Sequence, residues 1–258
     1  RRRHTRYPLV TGVQTCALPI WRTDKGDAPL KETLAAAMLA ASGYSMALEG
    51  ESAAISRGLP LYDPCCGSGT IAIEAAQIAC GIAPGLHRRF GFEKLRPFER
   101  ALWQELLQQA QAAIHAPLAE IHGSDVAFRM VDFATQNAER AGVAQAVRFR
   151  GGDALQRNPP TDQPGVMLLN PPYGERIEAA GVAGRQRAIT EGDGDFFLQL
   201  AQHWRGHYSG WTAWILTPDL KLPGRMRLKE NRRVPLWNGP IECRLFRFQI
   251  LPRPSPAT

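Results

Sequence analysis

The 258-residue chain has no run of about 18 apolar residues, so no membrane-spanning helix is expected. Its five cysteines (Cys16, Cys65, Cys66, Cys80 and Cys243) form no CxxC pair and no Cys/His spacing of the kind that holds zinc. No metal site is expected, and reduced cytosolic thiols are the default. The chain also lacks internal repeats, and apart from the Pro-rich tail "LPRPSPAT" it lacks low-complexity segments. Excess charge is scarce once its source is located. The net charge is +7, but Arg1, Arg2, Arg3 and Arg6 fall in a first segment that has no acid. The remaining domain is mildly basic, which permits nucleic-acid binding but does not argue for it strongly.

That first segment, "RRRHTRYPLVTGVQTCALPI", has neither helical nor strand periodicity and no continuous apolar core of a signal peptide. Residues 1–20 resemble a translated sequencing adapter and are read as outside the domain, the other reading being a genuine basic arm. From Trp21 onward the chain reads as one domain, 21–258, long enough to bury a sizeable core. Apolar residues at helical spacing predict a helix in "APLKETLAAAMLAASGY", with Gly43 past its end. "GLPLYDPCCGSGTIAIEAAQIACG" reads as a buried strand, a glycine turn and a helix. "APGLHRRFGFEKLRPF" reads as a loop, followed by a polar helix with Leu102, Leu106 and Leu107 on one side. Further strands are expected in "AEIHGSD", "AVRFRGGD", "VMLLN" and "WTAWILTP", with helices in "AFRMVDFATQNAERAG" and "DFFLQLAQHWRGHY" between them. "VPLWNG" and "IECRLFRFQIL" form a closing pair joined by "NGP". Alternating strands and helices imply a parallel sheet covered on both faces, and the final turn implies an antiparallel strand at one edge.

Four motifs sit where strands end. In "YDPCCGSGT" the strand stops at Asp63, and Gly67 and Gly69 allow positive φ and close backbone approach just before a helix N-terminus. Such a turn holds a dinucleotide pyrophosphate or the carboxylate of S-adenosylmethionine. The dinucleotide reading needs an acid at the next strand end about 20 residues on; none is there, which tilts the reading away from NAD. Cys65 and Cys66 read as small fillers of the turn rather than nucleophiles. In "HGSD", Asp125 is placed to accept both hydroxyls of a ribose or, alternatively, to cap the following helix. In "GGDAL", Asp153 suits an adenine amine or an ordinary turn. In "NPPY", the prolines fix φ and remove N–H donors. What remains is acceptors, the Asn170 side-chain oxygen and the Pro171 carbonyl, plus the aromatic face of Tyr173. Two acceptors on a planar exocyclic amine draw its nitrogen toward tetrahedral geometry and aim its lone pair at an electrophilic methyl. The motif alone does not separate guanine N2, adenine N6 and a glutamine amide.

"DPCCGSGT", "GSD", "GGD" and "NPPYGERI", in this order, resemble a class I S-adenosylmethionine-dependent methyltransferase acting on an amino nitrogen. "APLKETLAAAML", "APGLHRRFGF", "NPPYGERI", "SGWTAWILTPD" and "NGPIECRLFRF" resemble the N-terminal methyltransferase half of the THUMP-type bacterial 23S rRNA guanine-N2 methyltransferases, from about Arg22 to Leu251. The resemblance implies a Rossmann-like α/β three-layer sandwich around a mostly parallel seven-stranded sheet with an antiparallel edge strand. It implies S-adenosylmethionine as cofactor, 23S rRNA as partner and a bacterial cytoplasmic setting. Asp63, Pro64, Cys65, Gly67, Ser68, Gly69 and Thr70 would hold the methionine part. Ser124 and Asp125 would take the ribose, and Asp153 and Ala154 the adenine. Lys31 and Glu32 would flank the cofactor. Asn170, Pro171, Pro172 and Tyr173 would form the catalytic group, with Tyr173 stacking on the base. His87, Arg88, Arg89 and Arg176 would contact RNA or, alternatively, form an ordinary solvated surface. The base must be flipped or single-stranded to reach such a crevice.

The family carries a THUMP domain before this one, and the sequence shows none, so the chain reads as truncated. That leaves a competing function, a catalytically silent RNA-binding or rRNA-assembly module. "EAAGVAGRQRAITEGDGD" reads as a substrate loop or an insertion. Nothing in the sequence specifies an oligomer, and a monomer is the default.

Overall fold

The structure is a computed structural model that describes residues 21, 30–44, 58–86, 88–171 and 196–251. The segment 1–20 lies outside the described residues. In chain order the elements are α1 (Glu32–Ala41), β1 (Leu61–Asp63), α2 (Thr70–Ala79), a 3₁₀ turn (Gly91–Lys94), α3 (Arg100–Ala112), β2 (Ile121–Asp125) and α4 (Phe128–Arg140). Then come β3 (Val147–Gly151), β4 (Val166–Leu169), α5 (Phe196–His207), β5 (Thr212–Thr217), α6 (Leu222–Met226), β6 (Glu230–Asn238) and β7 (Ile241–Gln249).

The strands form one seven-stranded sheet in the order β3-β2-β1-β4-β5-β7-β6. β1 to β5 pair in parallel. The closing hairpin lies at one edge: β7 runs antiparallel to both β5 and β6, and β6 is outermost. β1 and β4, in the middle, are buried along their whole length, as a parallel strand covered on both faces must be. β6 at the rim alternates between half-buried and exposed.

Two apolar layers flank the sheet. On one face α1, α2 and the end of α4 pack Leu34, Met38, Leu39, Ile71, Ile73 and Ala138 against Leu61, Ile121, Leu168 and Leu245. On the other, α5 and α6 bring Phe197, Leu200, Trp204, Leu222 and Met226 against Met167, Leu169, Ile215, Phe246 and Phe248. Each fully buried side chain of this size contributes about 1.5–3 kcal/mol. α1 ends where Gly43 turns to φ +76, and α4 ends at Gly142, φ +72.

α3 differs from the other helices. None of its residues is fully buried, and Leu102 and Leu106 stay exposed. Its anchor is Trp103, which meets the rings of Phe90 and Phe92 edge-on at centroid distances of 5.7 and 5.0 Å. The expected loop before it thus contains a small aromatic cluster around the 3₁₀ turn. No helix among the described residues is long and apolar enough to cross a membrane.

Candidate active site

The order β3-β2-β1-β4 reverses direction between β1 and β4, and in open α/β sheets ligands sit beyond the carboxyl ends of strands at that reversal. The register brings the motifs to one level there. Asp63 pairs with Gly123, and Tyr62 with Met167. Asp125 and Asn170 therefore each lie two residues beyond Asp63, one on either side of β1.

Asp63 is 1% exposed, and its Oδ1 accepts the Cys65 N–H at 3.1 Å. Burial pushes its carboxyl up to about 8; the Cys65 N–H opposes this and the Asp125 charge adds to it. In the turn, Gly67 has φ +52 and Gly69 φ +87, but the two glycines serve different ends. A Cβ on Gly69 would stand 2.9 Å from Ala134 Cβ and 2.9 Å from Phe149 Cζ, so Gly69 is demanded by packing as well as by φ. A Cβ on Gly67 would meet nothing within 4 Å, so this glycine faces open space. The turn is held by Cys66 N–H to Ser124 O at 2.9 Å and by Asn137 Nδ2 to Ser68 O at 3.0 Å. Pro64, Ser68 and Thr70 are buried beneath it, and Cys65 is half-buried. Burial pushes both adjacent thiols, Cys65 and Cys66, up, which keeps them protonated and suits fillers rather than nucleophiles.

Asp125 Oδ2 accepts the Gly67 N–H and Oδ1 the Ala127 N–H, both at 2.9 Å. The side chain ties the glycine turn to the start of α4, and each oxygen keeps a second acceptor position. Burial raises its carboxyl above the usual range, against those two N–H donors. Ser124 Oγ is 2.6 Å from the buried Tyr62 hydroxyl. Asp153 Oδ1 accepts the Leu155 N–H at 2.9 Å in an Asx turn, and Ala154 is buried next to it.

Phe128 escaped the sequence reading. It is 76% exposed, and its ring lies over Gly151, where a Cβ would stand 2.5 Å from Phe128 Cε1. It thus stands between Asp125 and the Asp153 turn. A large apolar side chain at the first position of a helix, three residues after a strand-end acid, was the available signal.

Beyond β4, Asn170 is half-buried, and its Oδ1 is buried with no hydrogen-bond partner among the described residues. Pro171, next to it, is buried. A buried amide oxygen left without a donor costs about 1–3 kcal/mol. Pro172, Tyr173, Arg176 and His87 lie outside the described residues. Arg88 stacks over Phe90 at 5.0 Å in the aromatic cluster, and Arg89 is exposed beside it. Lys31 is exposed at the start of α1. Glu32 lies near Glu74 on α2, one turn from the glycine turn. The Glu74 carboxyl is pushed up to about 7 by burial first and by the Glu32 charge second, with a bond from Trp21 opposing. Among the described residues no three His, Cys, Asp or Glu side chains gather to hold a metal ion. A shallow cleft at the opposite end of the sheet is lined by Gly58, Glu120, His122 and Arg148. Its polar groups already serve one another: Glu120 bonds His122 at 3.2 Å and pairs with Arg148 at 3.5 Å.

The strand order, the glycine turn after β1 and the acids after β2 and β3 define a class I methyltransferase fold. Comparison makes the assignment narrower: the chain belongs to the family described as RMKL-like, methyltransferase domain, which matches residues 19–247. The Ribosomal RNA large subunit methyltransferase K/L of Shewanella pealeana is 40% identical over 228 residues, covering 86% of this chain; the chain spans 29% of that protein's length. Among solved structures, SMU.472, a putative methyltransferase complexed with SAH, superposes with TM-score 0.72 at 27% identity, covering 92% of this chain and 56% of that one. A predicted N6-adenine-specific DNA methylase from Listeria monocytogenes superposes with TM-score 0.68 at 28% identity, covering 88% of this chain and 53% of that one.

Proposed function

We propose that this domain transfers a methyl group from S-adenosylmethionine to the exocyclic N2 amine of a guanosine in 23S rRNA. The observation that carries the reading is the buried Asn170 Oδ1 beside Pro171 at the sheet's reversal point, which has no partner among the described residues. A donor is owed at that atom, and a substrate amine supplies one. The other half of the site fits the cofactor. Gly67 leaves open space for close approach of the methionine part. Asp125 has acceptor positions left for two ribose hydroxyls, and Asp153 and Phe128 flank the adenine place. When bound, S-adenosylmethionine supplies the electrophilic methyl. The chain's own part is positioning. Asn170 Oδ1 and the Pro171 carbonyl accept the two amine hydrogens and turn its lone pair out of the ring plane, and Tyr173 stacks on the base. No strong base is needed, because the amine proton becomes acidic as the methyl arrives. The K/L relative's name supports the rRNA substrate.

The test is Asn170→Ala, followed by calorimetry with S-adenosylhomocysteine and by nucleoside mass spectrometry on an unmodified 23S rRNA transcript. Transfer should fall by about a hundredfold or more, with cofactor affinity unchanged. Methylation at adenine N6 would replace the guanine reading. Equal transfer by wild type and variant would overturn the role of Asn170. A wild type that binds RNA without transferring methyl would be the silent module.

A further inference from the structure

The chain's positive charge is concentrated toward its C-terminal end. Residues 221–247 hold eight Lys and Arg against two acids, Glu230 and Glu242. Outside them and the segment 1–20, the chain has more acids than bases. This basic stretch comprises α6, β6 and most of β7.

The register fixes where it points. Leu169 pairs with Ile215, Ile215 with Phe246, and Phe246 with Arg233. Asn170 is thus level with Val234, and the hairpin continues past that level. Its tip rises from the carboxyl end of the sheet, the end that carries Asp63, Asp125 and Asn170. Trp237 lies three residues above Asn170 and three strands across, about 10 Å up and about 14 Å sideways at ordinary strand spacings.

Trp237 is 58% exposed, whereas Trp21, Trp204, Trp211 and Trp214 are all buried. Val234 and Leu236 turn to the α1–α2 face of the sheet, so alternation turns Arg233, Pro235 and Trp237 to the other face. Cations line that face toward the site. Arg233 lies 5.2 Å over the Phe246 ring and pairs with Glu230 at 2.5 Å; Arg225 lies 5.2 Å over Phe197, at the start of α5, and pairs with Asp219 at 2.8 Å, so phosphates would compete with carboxylates for both. Arg244, two residues from Glu242, bonds it at 2.8 Å. Lys221, Arg227, Lys229 and Arg232 are exposed nearby. An exposed indole beside a row of guanidinium groups suits a nucleic-acid strand: bases stack on the ring and phosphates meet the cations.

We propose that the β6–β7 hairpin is an RNA-docking platform, in which Trp237 stacks on a base neighbouring the target nucleotide and Arg225, Arg233 and Arg244 engage the flanking phosphates. The proposal rests on the rRNA substrate reading and names a surface that reading does not contain. Trp237 is the most exposed of the chain's six indoles, Trp103 being half-buried and the other four buried, so stacking should quench the full chain's tryptophan emission when a short single-stranded RNA is added. Trp237→Phe should abolish the quench while keeping affinity near wild type, because phenylalanine still stacks. Trp237→Ala should weaken binding to an unmodified 23S rRNA transcript about tenfold in filter binding. Arg233→Gln should reduce the salt slope of that binding by about one. Calorimetry with S-adenosylhomocysteine should be unchanged in all three. Wild-type affinity in Trp237→Ala, with the quench persisting in Trp237→Phe, would overturn the platform and leave the substrate reading intact. A wild type that binds S-adenosylhomocysteine but no RNA at low salt would overturn both.

Discussion

At the residue scale, the strand-end acids already serve the fold. Asp125 was open to a ribose or a helix-start reading, and the structure shows its helix-start bond to Ala127 together with a second bond to Gly67. The two readings are compatible because a carboxylate has about four acceptor positions and the backbone takes two. Asp125→Ala should therefore lose the ribose anchor and loosen the glycine turn. Affinity for S-adenosylhomocysteine by calorimetry should fall at least about a hundredfold, since bonds to a charged acceptor contribute about 1.5–3 kcal/mol each. Asp153 makes its ordinary turn bond to Leu155, and its second oxygen is the one a ligand amine would use.

At the element scale, the glycine turn shows how one motif mixes folding and binding. Sequence spacing treated Gly67 and Gly69 alike. In the structure Gly69 opens α2 in the left-handed region and admits α4 and Phe149 at its side, whereas Gly67 faces open space. Gly69→Ala should cost about 3 kcal/mol of stability, from left-handed strain plus overpacking. Gly67→Ala should cost only about 1–2 kcal/mol yet weaken cofactor binding. Urea unfolding midpoints read the first difference and calorimetry the second. "HGSD" teaches the same lesson. Gly123 is glycine because the Phe149 ring fills the place of its Cβ at 2.6 Å. The helix and strand periods located every long element, but α6, five residues long, was too short to leave a period.

At the scale of the whole molecule, burial of carboxyls sets the pH dependence. Asp63 rises from 3.8 to about 8 and Glu74 from 4.5 to about 7. In that window the folded chain binds more protons than the unfolded one, so these two groups make stability fall as pH rises from about 4 to about 8. Asp125 shares the direction, while His122, held below its usual value mainly by burial, acts oppositely below about pH 6.5. Asp63→Asn should flatten the fall without abolishing it, because Glu74 remains. Thermal melts of the ligand-free chain across this range measure it. An unchanged slope would mean that Asp63 is already ionised in the folded state.

The alternation of strands and helices, the closing hairpin and the strand-end motifs are legible in the linear chain. Each is written in local order: an apolar period, a glycine that permits positive φ, an acid or asparagine where a strand stops. Which strands are neighbours, and so that Asp125 and Asn170 stand level on either side of β1, follows only from the folded packing. It alone separated the glycine that packing requires from the one that faces open space, exposed Phe128 beside the acids, and carried Trp237 to the end of the sheet where Asn170 lies. Those facts depend on register between strands far apart in the chain, and no local pattern encodes that register.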